Sequence, residues 1–179
     1  MTHEMISAGF GGQGVLLLGQ LLAYAGLKEG KEVSWLPSYG PEMRGGTANC
    51  SVIVSDEEIG APVVVEADAV VAMNRPSLDK FEKSVKPGGK LFINSSLIDK
   101  KSERDDIEVY YVPATEIADK IGNTRVANIV MLGAYLEATG VVSPDSAIDC
   151  LAASFGEKKA HLIPMNREAI EKGAKSIRQ

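Results

Sequence analysis

A glycine-rich stretch near the start of the chain, GFGGQG at residues 9–14, has the spacing Gly-x-Gly-x-x-Gly. It lies between a short, largely apolar segment and the apolar run VLLLGQLLAYAGL, which predicts a turn from a strand into a helix. Backbone amides at a helix start carry partial positive charge, and glycines let an anion come close to them. The turn is therefore predicted either to hold a phosphate or only to let the helix pack tightly on the sheet.

A standard dinucleotide site would need one more residue. An Asp or Glu at the tip of the second strand, about 20 residues after the turn, normally binds the ribose hydroxyls. Here Leu36, Pro37 and Ser38 occupy that tip, and Glu32 lies at the other end of the strand. The sequence therefore argues against a standard NAD site.

The second unusual segment is SYGPEMRGG at residues 38–46, where three glycines and a proline favour a loop of fixed shape. Tyr39 offers an aromatic face, and Met43 offers a soft apolar contact. The Arg44 guanidinium could bind a phosphate or a carboxylate with two parallel hydrogen bonds. The alternative for Arg44 is a local ion pair with Glu42.

Ligands of open α/β sheets bind outside the carboxyl ends of the strands, so residues that follow each predicted strand are the candidates for binding. Those positions are rich in glycine and small polar residues. The candidate set is Gly9, Gly11, Gly12, Gln13, Gly14, Ser38, Tyr39, Arg44, Gly45, Asn74, Asn94 and Ser95. By contrast, Asn128 lies in an otherwise apolar helix and is interpreted as a hydrogen-bonded core amide.

Few other residues suggest chemistry. Cys50 and Cys150 stand a hundred residues apart and do not supply the paired ligands of a zinc or iron–sulfur site, so both are interpreted as core residues. His3 and His161 are interpreted as incidental. No motif marks a nucleophile with its base. We therefore predict no catalytic residue and no metal in this chain.

Charged residues are interspersed and sum to a formal charge of −5, with no basic block. This distribution argues against nucleic acid or an anionic membrane as a partner. The uncharged stretch 5–27 contains the glycine turn, and the apolar helix left over would be about 20 Å long, short of the roughly 30 Å of a bilayer core. We expect a cytoplasmic protein.

Alternating strand-like and helix-like segments must position the candidate residues. Strands are predicted at EMISAG, KEVSWLP, TANCSVIVS, DAVVAM, KLFINSS and EVYYVPA, and a helix at NRPSLDKFEKSVKPGG. The loop between strands two and three is too short for a parallel crossover, so these strands should be antiparallel neighbours. Residues 1–179 are predicted to form one α/β domain, a three-layer Rossmann-like sandwich with a mixed β-sheet and a helical C-terminal third.

Five segments, in order, carry a resemblance to a known family: GFGGQGV, PSYGPEMRGGTANCSVIVSDEEIG, VVAMNRPSLDKF, GGKLFINSSLI and RVANIVMLGAYL. Nearly the whole chain resembles the gamma subunit of 2-oxoacid:ferredoxin oxidoreductases. The 2-oxoglutarate enzyme is the type that it resembles most, followed by the branched-chain 2-oxoacid and pyruvate types.

The resemblance implies a subunit of an enzyme that decarboxylates a 2-oxoacid, transfers the acyl group to coenzyme A and reduces ferredoxin. It implies thiamine diphosphate between alpha and beta subunits, and iron–sulfur clusters in beta and in a small ferredoxin-like delta subunit. The gamma subunit then holds no cofactor alone. Coenzyme A, shared with partner chains, becomes the natural ligand for a glycine turn at a helix start.

Three interpretations stay open. In the first, residues 9–14 and 38–46 face the alpha and beta subunits, contribute to a coenzyme A pocket and close the active site. In the second, the same loops are an assembly surface without a ligand. In the third, the chain is a free-standing nucleotide-binding oxidoreductase. An isolated chain could also form a homodimer.

Overall fold

The computed structural model describes residues 1–38 and 47–178. The predicted alternation of strands and helices is confirmed. The strands are β1 (Thr2–Phe10), β2 (Glu32–Ser38), β3 (Thr47–Ser55), β4 (Ala67–Ala72), β5 (Val85–Asn94) and β6 (Glu108–Val112). The helices are α1 (Val15–Lys28), α2 (Arg75–Phe81), α3 (Ala114–Ile121), α4 (Ala127–Thr139), α5 (Pro144–Phe155) and α6 (Ile163–Ile177).

The strands form one mixed sheet in the order β2-β3-β1-β4-β5-β6. β3 is antiparallel to both β2 and β1, as the short connection predicts, whereas β1, β4, β5 and β6 are mutually parallel. Every strand of this sheet except β3 therefore ends at the same side. We call that side the carboxyl edge and the opposite side the amino edge.

The two faces of the sheet are covered unequally. On one face, α1 and α4 pack over a core that includes Leu18, Val52 and Phe92, and α3, α5 and α6 extend that layer. On the other face, the short helix α2 covers the parallel strands together with apolar side chains from irregular segments, such as Val64 and Ile98. The predicted α/β class and helical C-terminal third are confirmed, and the third layer is thin.

Two glycines bring α4 and α6 into backbone contact. A Cβ atom built on Gly133 would overlap the backbone of Ile170, and one on Gly173 would overlap the carbonyl of Val130. Only glycine allows this approach, which fixes α6 along α4. None of the helices in residues 1–38 and 47–178 is long and apolar enough to cross a membrane.

The predicted helix over residues 74–89 is too long. α2 ends at Phe81, and a 3-10 turn, Glu82–Ser84, leads directly into β5. β5 thus already contains Pro87, Gly88 and Gly89, residue types that often follow the end of a helix. Its pairing with β4 jumps from Ala67 opposite Val85 to Ala69 opposite Lys90, so the extra residues leave the regular ladder. Such an irregularity accommodates a proline, which has no amide hydrogen to donate.

Candidate functional site

The glycine turn between β1 and α1 is closed by Gln13. Its side-chain carbonyl accepts a hydrogen bond from the Phe10 amide at 2.6 Å, and its side-chain amide donates to the Met73 carbonyl at 3.2 Å. The Gln13 backbone amide also donates to the Phe10 carbonyl at 3.1 Å. Gln13, predicted to contact a ligand, therefore holds the turn in shape and ties it to the end of β4.

The glycines of the turn divide into two kinds. Gly12 and Gly14 have φ angles of 91° and 74°, which favour glycine. A Cβ on Gly9 would lie 2.7–2.9 Å from atoms of Gln13, Val15 and Met73, and one on Gly14 would overlap Asn128. Gly9 and Gly14 thus allow close packing of the turn, and the prediction that they contact a ligand stays a prediction.

The other two glycines face open space. Gly11 is exposed, and a Cβ on the exposed Gly12 would meet nothing within 4 Å. No side chain within residues 1–38 and 47–178 caps the start of α1 with a hydrogen bond. The first amides of α1, beside Gly11 and Gly12, are the part of the turn that can meet an anion.

Asn128 is the hydrogen-bonded core amide that the sequence predicts. It is 4% exposed, its side-chain nitrogen donates to the Gly14 carbonyl at 3.1 Å, and its side-chain oxygen accepts from the Ile129 amide at 2.9 Å. It thereby fixes the start of α4 against the start of α1. Both helices consequently begin at the carboxyl edge.

Asn74 and Asn94 also serve the fold. The buried Asn74 side chain caps α2 by accepting from the Ser77 amide at 2.9 Å. Asn94 is fully buried; it accepts from the Ala114 amide at 3.2 Å and donates to the Thr115 hydroxyl at 3.0 Å. Their oxygens satisfy backbone amides of α2 and α3, and the prediction that the two residues contact a ligand stays a prediction.

The remaining candidate residues lie at the ends of β2 and β5 or outside the described residues. Ser95 donates its backbone amide to the Val112 carbonyl at 2.9 Å, which extends the contact of β5 with β6. Ser38 is exposed at the end of β2, and Glu32 lies at the other end, opposite Ser55. The position of a ribose-binding acid is thus filled by a serine. The predictions for Tyr39, Arg44 and Gly45 fall outside the described residues.

A cavity of about 220 Å³ opens beside the turn at the carboxyl edge. We call it the turn cavity. It is lined by Gly12, Gln13, Met73, Leu97, Thr115, Thr124, Arg125 and Ala127. A second, more apolar cavity of about 210 Å³ lies on the other side of the turn, lined by Phe10, Gly11, Gly12, Gly14, Val15, Leu16 and Ala48. Gly12 therefore stands between two cavities.

Arg125 is the charged residue of the turn cavity, and the strand-end rule missed it. It is exposed, and no carboxylate of residues 1–38 or 47–178 forms an ion pair with it. Asn123 accepts a hydrogen bond from the Arg125 amide at 3.0 Å and caps the 3-10 turn Thr124–Val126 before α4. The sequence Gly-Asn-Thr-Arg between two predicted helices marks this turn and could have identified the residue.

The cysteines of the chain offer no reactive group at this edge. Cys50 is fully buried with its sulfur 3.5 Å from the Val15 carbonyl oxygen, and burial raises the pKa of its thiol to about 12. Burial also raises the pKa of Cys150. Thiols with raised pKa values are poor nucleophiles and poor metal ligands at neutral pH. Within the described ranges, no group of three or more His, Cys, Asp or Glu residues could hold a metal ion.

Comparisons with known proteins place this geometry in a family. Residues 4–176 match the family model of pyruvate ferredoxin/flavodoxin oxidoreductase. The chain is 43% identical to the ketoisovalerate oxidoreductase subunit VorA of Methanothermobacter marburgensis, over 93% of this chain and 35% of VorA. It is 39% identical to the 2-oxoglutarate synthase subunit KorC of the same organism, over 98% of this chain and all of KorC.

One solved structure shows the same fold within a longer chain. It is the 2-oxoglutarate:ferredoxin oxidoreductase from Magnetococcus marinus with 2-oxoglutarate, coenzyme A and succinyl-CoA bound. The TM-score is 0.90 at 26% identity, over 99% of this chain and 32% of that chain. The present chain thus spans about a third of some relatives and the full length of others. The chain belongs to the pyruvate ferredoxin/flavodoxin oxidoreductase family, as a domain of the gamma-subunit type.

Proposed function

We propose that the chain is the gamma subunit of a multi-subunit, thiamine diphosphate-dependent 2-oxoacid:ferredoxin oxidoreductase and that its carboxyl edge binds coenzyme A. The complete enzyme converts a 2-oxoacid, coenzyme A and oxidised ferredoxin into an acyl-CoA, CO₂ and reduced ferredoxin. The observation that carries the proposal is the turn cavity, which Arg125 lines together with Gly12 and Gln13 of the turn that leads into α1. A guanidinium and free helix amides are groups that bind phosphate.

The proposal places the cofactors of the enzyme in partner subunits, and the few thiols of this chain support that placement. Iron–sulfur clusters need several thiolates, whereas Cys50 is buried against α1 and Cys150 lies elsewhere on α5. The residues described here therefore do not fit a cluster. In the proposal, clusters belong to the beta and ferredoxin-like delta subunits, and thiamine diphosphate lies between alpha and beta. The gamma chain binds and positions coenzyme A so that its thiol reaches the acyl group in a partner subunit.

Substitution of Arg125 in the assembled enzyme tests the proposal. Arg125→Ala should raise KM for coenzyme A about tenfold, the loss of one charge-assisted hydrogen bond, with kcat nearly unchanged. Arg75→Ala is a matched control, because Arg75 begins α2 at the same edge but does not line the turn cavity. A KM that stays at the wild-type value in Arg125→Ala would refute coenzyme A binding at this cavity.

A second candidate function is assembly without a ligand. It is favoured by the hydrogen bonds that occupy Gln13 and Asn94, and by two exposed apolar side chains at the carboxyl edge, Phe10 and Leu97, which are 39% and 52% exposed. In that case Phe10→Asp should reduce co-purification with the partner subunits, while Arg125→Ala leaves KM for coenzyme A unchanged. Leu27→Asp is the control, because Leu27 is 55% exposed near the other end of α1.

A further inference from the structure

The two outer strands of the sheet differ in how their free sides are protected. Among the described residues, β2 pairs only with β3 and β6 pairs only with β5, so each has one side without a neighbouring strand. At β6, Glu108 forms an ion pair with Lys90 at 3.0 Å, and the Lys101 ammonium lies 4.2 Å from the centre of the Tyr111 ring. Charged side chains beside an outer strand oppose its pairing with another chain. The free side of β6 is therefore protected.

The free side of β2 lacks such charges. Residues 33–38, VSWLPS, contain no charged side chain, although 24% of the residues of the chain are charged. Each of these residues keeps some exposure, and Leu36 is 43% exposed. Lys31, which precedes β2, forms an ion pair with Asp56 at 2.6 Å. An exposed outer strand without charges is a surface on which another strand can pair.

Helix α1 extends this uncharged surface. Gly19 faces the sheet, because a Cβ atom there would lie 3.4 Å from the Trp35 ring. Leu18 and Gln20 therefore lie on opposite flanks of α1, each about 100° from Gly19. Leu18 is fully buried in the core that α1 shares with α4, whereas Gln20 is half-buried and Tyr24, about one turn later, is 47% exposed. The flank with Gln20 and Tyr24 thus lies beside the free side of β2.

Pro37 shows which backbone groups of β2 point to its free side. Proline has no amide hydrogen, so within an outer strand its nitrogen faces away from the neighbouring strand. In an antiparallel pair, alternate residues direct their backbone groups to the same side. Val33 and Trp35 therefore direct their amides and carbonyls to the free side, together with the Pro37 carbonyl. Within the described part of the chain, no other strand pairs with these groups.

We propose that two copies of this chain pair along β2, with the two strands antiparallel about a two-fold axis at Trp35. In this register the Val33 amide of each copy donates to the Pro37 carbonyl of the other. The missing amide of Pro37 then falls at the ends of the paired segment, where it interrupts the pairing least. Glu32 lies opposite Ser38 of the second copy, so no like charges face each other across the strands.

The spacing of the elements favours a second copy over an isolated strand of another protein. Neighbouring strands lie about 4.8 Å apart, so the β3 strands of the two copies lie about 14 Å apart. Since α1 packs over β2 and β3, the two α1 helices lie roughly 10–14 Å apart, where Tyr24 side chains reach across. A second copy therefore covers both β2 and the exposed flank of α1, whereas a single added strand covers β2 alone.

Sedimentation velocity of the purified full chain tests this self-association. The pairing uses about a dozen residues of each copy, fewer than the 20–30 of a standard interface, so we expect dissociation at about micromolar concentrations. Tyr24→Lys places two cations near the axis and should raise the dissociation constant at least about tenfold. Val65→Lys is the matched control, because Val65 is 77% exposed but precedes β4 in the middle of the sheet. Circular dichroism checks that both variants keep the fold.

Disulfide cross-linking tests the register. Ser34 of one copy lies opposite Leu36 of the other, with Cα atoms about 4.5–5.5 Å apart, which a disulfide can span. The double variant Ser34→Cys/Leu36→Cys should therefore form a covalent dimer when it is oxidised with glutathione disulfide. Leu36→Cys alone should not, because the two Leu36 positions lie on a diagonal of about 8 Å, beyond the reach of a disulfide.

Three results would overturn the proposal: a full chain that is monomeric at every concentration, a dimer that Tyr24→Lys leaves intact, or a double cysteine variant that does not cross-link. If the isolated chain is monomeric and Tyr24→Lys prevents co-purification with the other subunits of the enzyme, the surface binds a partner subunit and self-pairing is wrong. These measurements need no coenzyme A, so their failure leaves the proposed function unaffected.

Discussion

The cavities at the two edges of the sheet differ in whether their cations are paired with carboxylates. At the amino edge, the Lys86 ammonium lies 2.9 Å from the Glu4 carboxylate and 3.5 Å from that of Asp68, and Lys90 pairs with Glu108. At the carboxyl edge, Arg75 pairs with Asp79 at the start of α2, whereas Arg125 lines the turn cavity without an ion pair among the described residues. A cation that is already paired with a carboxylate attracts an anion weakly. The pairing of the cations at each cavity therefore distinguishes the two edges better than the number of cations does.

Cavity size alone would not favour the carboxyl edge. A cavity of about 430 Å³, larger than the turn cavity, opens at the amino edge and is lined by His3, Asp68, Lys86 and Lys90 among others. Its lysines are engaged by carboxylates, and Asp68 itself lines the cavity. The smaller cavities at the carboxyl edge adjoin helix starts and a cation instead. The comparison therefore favours the carboxyl edge for an anionic ligand.

The largest expected effect is a loss of stability when a glycine of the turn at the carboxyl edge is replaced. Gly14→Ala combines a left-handed backbone with a Cβ that overlaps Asn128, so the free energy of unfolding should fall by about 3 kcal/mol. Gly12→Ala has the backbone cost alone, about 1 kcal/mol. Denaturant unfolding of both variants measures the difference. Equal losses would show that the contact between the turn and α4 contributes little.

The next largest expected effect is a pH dependence of stability that arises from His3 at the amino edge. Burial, above all, lowers the pKa of His3 below its ordinary value of 6.5. The unfolded chain then binds the proton more readily, so stability should be full above pH 6.5 and fall as pH decreases below it, by at most about 1.4 kcal/mol per pH unit.

His3→Gln tests this dependence in urea unfolding at several pH values between about 7.5 and 5.5. The variant should lose this part of the pH slope. His161→Gln, a change at an exposed residue of the 3-10 turn, should keep it. A slope in His3→Gln that matches the wild type would assign the pH dependence to other groups.

The smallest effect concerns the paired lysine of the amino edge. Lys86→Met removes the cation between Glu4 and Asp68, and because these groups are partly exposed the loss of stability should be about 0.5–1 kcal/mol. KM for coenzyme A should not change in the assembled enzyme. A raised KM would mean that the amino edge, rather than the carboxyl edge, contributes to the ligand site.

The sequence predicted the elements well because hydrophobic periodicity and loop length depend on local patterns. The antiparallel β3 followed from a connection too short for a crossover, and the fold confirmed it. The start of β5 could not be predicted in the same way. Pro87 and the two glycines are residue types that end helices, and only the pairing with β4 shows that they belong to a strand. Local signals thus predicted the order of elements better than their boundaries.

The sequence predicted which edge of the sheet the candidate residues occupy, but not what their side chains contact. Gln13 and Asn94 lie at the predicted edge, but a side-chain amide does not reveal which backbone group it will satisfy. Arg125 follows a helix rather than a strand, so a search limited to strand ends passed over it. Its place beside Gly12 depends on the packing of α4 against α1 through Asn128.

The most direct test compares one cation from each edge in the assembled enzyme. Isothermal titration with coenzyme A should give a Kd about tenfold higher for Arg125→Ala than for the wild type, and an unchanged Kd for Lys90→Ala. The opposite pattern, or equal Kd values for all three proteins, would contradict the assignment of coenzyme A to the carboxyl edge.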